Sequence, residues 1–105
     1  MGVIKGVLKE ELKNSLQMKA DYERELAKLP RGSLIKKNIS GHEYYYILLR
    51  ENGKVKFRYK GKASEEEIKK YKDAKEYRAK YRKLLAQTKK QILFLRSTLR
   101  GKESI

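Results

Sequence analysis

The chain of 105 residues carries 28 lysines and arginines against 13 acidic residues, a formal net charge of +15, with one histidine and no cysteine. That length suits a single domain with a modest core and leaves little room for a deep enzyme cleft. The lack of thiols excludes disulfides, thiolate zinc sites and cysteine chemistry, and the charge selects a polyanionic partner, nucleic acid before an anionic membrane surface. The positive excess is uneven: residues 1–30 hold six basic and five acidic side chains, 31–62 hold nine and two, and 63–105 hold thirteen and six. The opening apolar patch is too short for a signal peptide, and no run approaches the ~18 apolar residues of a membrane helix. The expectation is a cytoplasmic protein without a membrane span, cofactor or metal.

Residues 4–29 read as a helix. Leu8, Leu12, Tyr22, Leu26 and Leu29 fall on alternating four- and three-residue steps, the seam of a coiled coil, with Ser15 and Lys19 at two further seam positions. Pro30 and Gly32 stop it. Residues 33–61 read as a three-stranded antiparallel sheet. A first strand runs from Ser33 to Ile39, and a turn from Asn38 to His42 leads into a hairpin from Glu43 to Lys60. Asn52-Gly53 lies at its tip, because a type I′ turn needs positive φ at both central residues.

Counting outward from that turn sets the register. Arg50 faces Val55, Leu48 faces Phe57 and Tyr46 faces Tyr59; Leu49 faces Lys56, Ile47 faces Arg58 and Tyr45 faces Lys60. One face is aromatic and is expected to cover the first turns of the second helix. The other mixes Tyr45, Ile47 and Leu49 with a basic row. Ser64 then opens a helix over residues 64–100, with Ser64-Glu65-Glu66-Glu67 as its capping box. Its seam is Ile68, Tyr71, Ala74, Tyr81, Leu85, Thr88, Ile92, Leu95 and Leu99. Arg78 interrupts the seam and should snorkel or meet a glutamate of the first helix. Gly101 should end the helix, leaving 101–105 frayed. The fold class is α+β, one domain over 1–105, with the two long helices packed as an antiparallel coiled-coil-like hairpin or exchanged in a homodimer. Leu93 and Phe94 favour self-association.

Catalysis finds no footing. His42 stands alone in a predicted turn, the helical carboxylates have lysines three or four residues away, as solvated ion pairs do, and there is no glycine-rich phosphate loop. No catalytic, cofactor-binding or metal-binding residue is expected. The basic row is more informative: Lys54, Lys56, Arg58, Lys60 and Lys62 place five cations in nine residues with no acid between them. Alternate lysines and arginines on a sheet suit phosphates, and Tyr45 beside them suits a base or a phosphate. An equally weighted reading buries Tyr45, Ile47 and Leu49 under the first helix, the cations merely keeping an edge strand soluble. On the second helix Lys69, Lys72, Lys80 and Lys83 lie away from the seam. Between Lys69 and Lys90 only Asp73 and Glu76 oppose ten cations, an imbalance that favours a polyanion. Twenty lysines against eight arginines point to phosphate-backbone contact without base reading from the helix.

The run Leu29-Pro30-Arg31-Gly32-Ser33-Leu34, followed by Tyr44-Tyr45-Tyr46, Asn52-Gly53-Lys54-Val55-Lys56, Tyr59 and Gly61-Lys62-Ala63-Ser64, resembles a family of small uncharacterised basic proteins from bacteria, archaea, phages and mobile elements. The resemblance carries no activity with it. The hairpin and its aromatics are also similar to the arm-site DNA-binding domains of phage integrases, at the level of analogy. The function expected is a non-enzymatic nucleic-acid-binding protein of phage or mobile-element type. The alternative is an inhibitor of anti-CRISPR type that binds a nuclease such as a CRISPR effector, or its nucleic-acid complex.

Overall fold

The computed structural model describes residues 2–103, in the order α1 (Gly2–Lys28), β1 (Ser33–Ile39), β2 (His42–Glu51), β3 (Lys54–Gly61) and α2 (Glu65–Glu103). The three strands form one antiparallel sheet in the order β1-β2-β3, so the architecture is α+β, as the periodicities predict. Contacts group the chain into two compact units. One joins α1 to α2 from Ala79 onward; the other comprises residues 29–78 and holds the sheet with the first part of α2.

In the helical unit the seams meet. The helices pack antiparallel, and the Tyr22 and Tyr81 rings lie with their centroids 6.1 Å apart. Ile92, Leu95 and Leu99 are buried, while Leu8, Leu12, Leu26 and Leu85 are half-buried. One heptad back from Tyr22 is Ser15, and one heptad on from Tyr81 is Thr88; both are buried, Ser15 to 1% exposure. In an antiparallel pair these two small polar side chains fall at the same level. The Thr88 hydroxyl donates to the Leu84 carbonyl at 2.8 Å, whereas the Ser15 hydroxyl has no partner.

The sheet's register follows the Asn52-Gly53 turn. Both residues have positive φ, 52° and 76°, and Arg50–Val55, Leu49–Lys56, Leu48–Phe57, Ile47–Arg58 and Tyr46–Tyr59 pair as counted. The expected Tyr45–Lys60 pair does not form. A β-bulge beyond Tyr46–Tyr59 sets Gly61 opposite Tyr45 and leaves Lys60 as the extra residue. Gly61 accommodates this at φ 86°, a backbone state that a side chain disfavours. The β1–β2 connection is tighter than a five-residue turn. Ile39 pairs directly with His42, and Ser40-Gly41, with φ 53° and 81°, forms a second two-residue turn.

The face that α2 covers is the reverse of the expectation. The large exposed apolar side chains of the sheet are Ile39, Val55, Phe57 and Tyr59, and the register puts all four on the aromatic face. Leu34, Ile47 and Leu49 on the other face are half-buried. The side of the sheet that they form is tied to α2 at both ends of its first turns. Lys60 pairs with Glu67, and the Arg78 guanidinium donates to the Pro30 carbonyl at 2.6 Å instead of meeting a glutamate of α1. Between these ties Ala74 is 2% exposed. The physical reason is size and polarity. Short aliphatic side chains let a helix bearing Ala74 come close, whereas tyrosines tolerate water at their hydroxyl ends and cover one another's edges.

Ser64 caps α2. The Glu67 amide donates to the Ser64 hydroxyl oxygen at 3.2 Å, the hydroxyl donates to the Glu67 carboxylate, and the Ile68 amide donates to the Ser64 carbonyl. Gly101 does not stop the helix, which continues to Glu103; an α-helix tolerates glycine at a modest cost. Residues 104–105 of the expected tail lie outside the described residues.

Candidate nucleic-acid interface

The predicted basic row is interrupted by the bulge at Lys60 and by acids. Lys54, Lys56 and Arg58 are exposed on β3, an edge strand, and point to the side that α2 covers. Their long stems carry the charges into water. Lys56 pairs with Glu51 at 3.5 Å. Lys60, turned by the bulge, is bound to Glu67 and half-buried. The hydrogen bond to Glu67 raises the lysine's pKa above its ordinary value, and the same contact lowers that of the glutamate. Lys54, Arg58 and Lys62 have no ion-pair partner among the described residues. Tyr45 is half-buried on the covered side.

On α2, Lys69 and Lys72 line a shallow open depression together with Glu65, Asp73, Glu76 and Ile68. The three carboxylates offset much of their attraction for phosphate. Lys80 and Lys83, in the helical unit, are exposed and without an ion-pair partner among the described residues. Glu76 stands one turn before Lys80, and the next acid along α2 is Glu103, so the helix beyond Lys80 offers these two lysines no further carboxylate within a turn. Three ion pairs run within α1: Lys19–Glu23, Arg24–Asp21 and Lys28–Glu25.

The open face of the sheet carries a second set of side chains that sequence reasoning assigned to the core. Tyr44, Tyr46, Phe57 and Tyr59 share this face. Tyr59 lies 5.4 Å from Tyr46, edge to face, and 6.2 Å from Tyr44. Phe57 and Tyr59 are 53% and 61% exposed, enough to leave much of each ring available. The Lys37 ammonium, from β1, stands 4.4 Å from the Phe57 ring centre and 4.8 Å from that of Tyr46, within cation–π range. Arg50, opposite Val55, is on the same face and exposed. Both carboxylates of the sheet, Glu43 and Glu51, are on the other side, paired with Lys36 at 2.9 Å and with Lys56. The Glu43 contact also raises the pKa of Lys36. The strict alternation of charge and ring around the Asn52-Gly53 turn contained this segregation. What it lacked was any indication of which side the helix would cover.

Among the described residues no group of three or more histidine, aspartate or glutamate side chains could hold a metal ion, and no helix is long and apolar enough to cross a membrane. Comparison with curated proteins and with solved structures gives no match. Residues 8–70, which take in most of α1, the whole sheet and the Ser64 cap of α2, match the profile of a domain of unknown function, DUF6788, and the chain belongs to that family.

Proposed function

We propose that the protein is a non-enzymatic nucleic-acid-binding protein that holds the phosphate backbone through its unpaired surface cations. The observation that carries this reading is that, among the described residues, Lys54, Arg58 and Lys62 of the sheet unit have no ion pair, and neither, on the helical unit by itself, do Lys80 and Lys83, in a chain of net charge +15. Cations that have already found carboxylates gain little from phosphate; unpaired ones release the phosphate's counterions on contact, which drives association at low salt. Lys56, Lys60, Lys69 and Lys72 assist less, because each lies beside an acid. The reading is tested by fluorescence anisotropy with labelled single-stranded DNA, duplex DNA and RNA. The triple variant Lys54→Glu, Arg58→Glu, Lys62→Glu should lose affinity for all of them, whereas wild-type protein that binds none at low salt would refute it.

A second reading has its own observation. Val3, Ile4 and Val7 of α1 and Leu93 and Phe94 of α2 are exposed, and antiparallel packing brings the beginning of α1 to the α2 end of the helical unit. Such a patch suits association of two copies through the helices. Sedimentation over a range of concentrations tests it: a monomer throughout excludes it.

A further inference from the structure

We infer that the open aromatic face of the sheet is a stacking platform for the unpaired bases of a single strand. The inference deepens the nucleic-acid reading and rests on it. Phe57 and Tyr59 present ring surface to solvent, with Tyr44 and Tyr46 as their cross-strand supports. A face this apolar on a molecule this charged needs an occupant that is flat and uncharged on one side and anionic on the other. Unpaired nucleotides meet that description: the base lies on the ring and the phosphate reaches the cations at the margin.

The charge pattern selects this occupant over a second copy of the chain. Lys37 and Arg50 lie on the open face, and neither carboxylate of the sheet shares it, since Glu43 and Glu51 point the other way. Two such faces brought together would oppose like charges. A duplex also fits poorly, because its bases are stacked on each other and offer no free π-surface. Lys37 rests over Phe57 and Tyr46, where a base would lie. Its flexible stem lets the ammonium leave the rings and follow the phosphate, so an arriving nucleotide exchanges one cation–π contact for a stack and an ion pair.

The test uses the full chain with labelled oligothymidylate, oligouridylate and an abasic deoxyribose strand of the same length, at one low salt concentration. The base-bearing strands should bind about tenfold or more tightly than the abasic strand, and tyrosine emission should be quenched as they bind. The double variant Phe57→Leu, Tyr59→Leu keeps apolar area but removes the rings. It should lose the preference and the quenching yet bind the abasic strand as wild type does, with an unchanged circular dichroism spectrum as the check on folding. The DNA and RNA arms separate the two sources of unpaired bases. Equal affinity of wild-type protein for base-bearing and abasic strands would overturn the platform and leave backbone binding intact. Absence of binding to every strand would overturn both. A wild-type dimer that the Phe57→Ala, Tyr59→Ala variant dissolves would overturn it by assigning the face to a second copy.

Discussion

At the scale of single residues, the glycines and one ion pair decide most. Gly32, at φ 87°, sits where a Cβ would lie 2.7 Å from the Leu48 carbonyl oxygen and 2.8 Å from side-chain atoms of Ile47 and Leu49. Gly61 has a similar φ, but the nearest atom to a Cβ there would be the Tyr59 hydroxyl, at 3.4 Å, an ordinary contact with a side-chain end. Backbone strain is common to both sites, and overlap with a strand carbonyl is added only at the first. Gly32→Ala should therefore cost about 3 kcal/mol and Gly61→Ala about 1 kcal/mol, an order that urea denaturation of the two variants checks. The Lys60–Glu67 pair sets a pH window. The folded-state pKa of Glu67 is depressed, so its contribution is present above its unfolded value and is lost as pH falls through the folded one. That of Lys60 is raised, so its contribution is present below its unfolded value and lost as pH rises through the folded one. Glu67→Gln should lower the melting temperature across the neutral range, and the difference should close only once the pH has fallen below the ordinary carboxylate range or risen above the ordinary lysine range. Melting curves that differ equally at acid and neutral pH would contradict this assignment.

At the scale of elements, the two helices were legible because a coiled-coil seam repeats. Every α2 seam position from Ile68 to Leu99 is buried or half-buried. Ser15 shows what such a pattern misses. A serine in a leucine stripe reads as a flaw, yet it is the most buried residue of α1. Its hydroxyl has no partner, and an unsatisfied buried hydroxyl costs free energy that a methyl group of similar size does not. Ser15→Ala should thus stabilise the protein by about 1 kcal/mol, while Ser15→Leu should destabilise it by overpacking, by about 1–3 kcal/mol; thermal unfolding of both distinguishes a tight crossing from a vacant one. Ser64→Ala should cost about 1 kcal/mol through loss of the α2 cap. The strand register was legible from Asn52-Gly53, because that turn has one geometry. The Lys60 bulge was not, since a bulge reflects where the next element must begin. Ser40-Gly41 escaped notice because serine seldom takes positive φ.

At the scale of the whole molecule, composition declared a positively charged protein but not how its charge is apportioned. Local sequence shows Lys54 to Lys62 as one row. The fold distributes that row among an ion pair with Glu51, another with Glu67, and three cations without an ion pair among the described residues. It also leaves open the sheet face that hydrophobicity alone would have buried. Ring size and short aliphatic side chains decide that outcome, and both are properties of packing between elements distant in the sequence. Membership in the DUF6788 family extends over most of α1 and the sheet, so the open face lies within the family's matched region.

The salt dependence of binding to a single strand is the most direct measure of whether these cations hold phosphates. Plotted as log affinity against log salt concentration, wild-type protein should give a straight line with a slope of about −2 or steeper, as expected for the three cations Lys54, Arg58 and Lys62 on single-stranded phosphates. Changing Lys54, Arg58 and Lys62 to glutamate should make the line shallower by about 2. A flat line, or a slope that the three substitutions leave unchanged, would contradict phosphate binding by these residues.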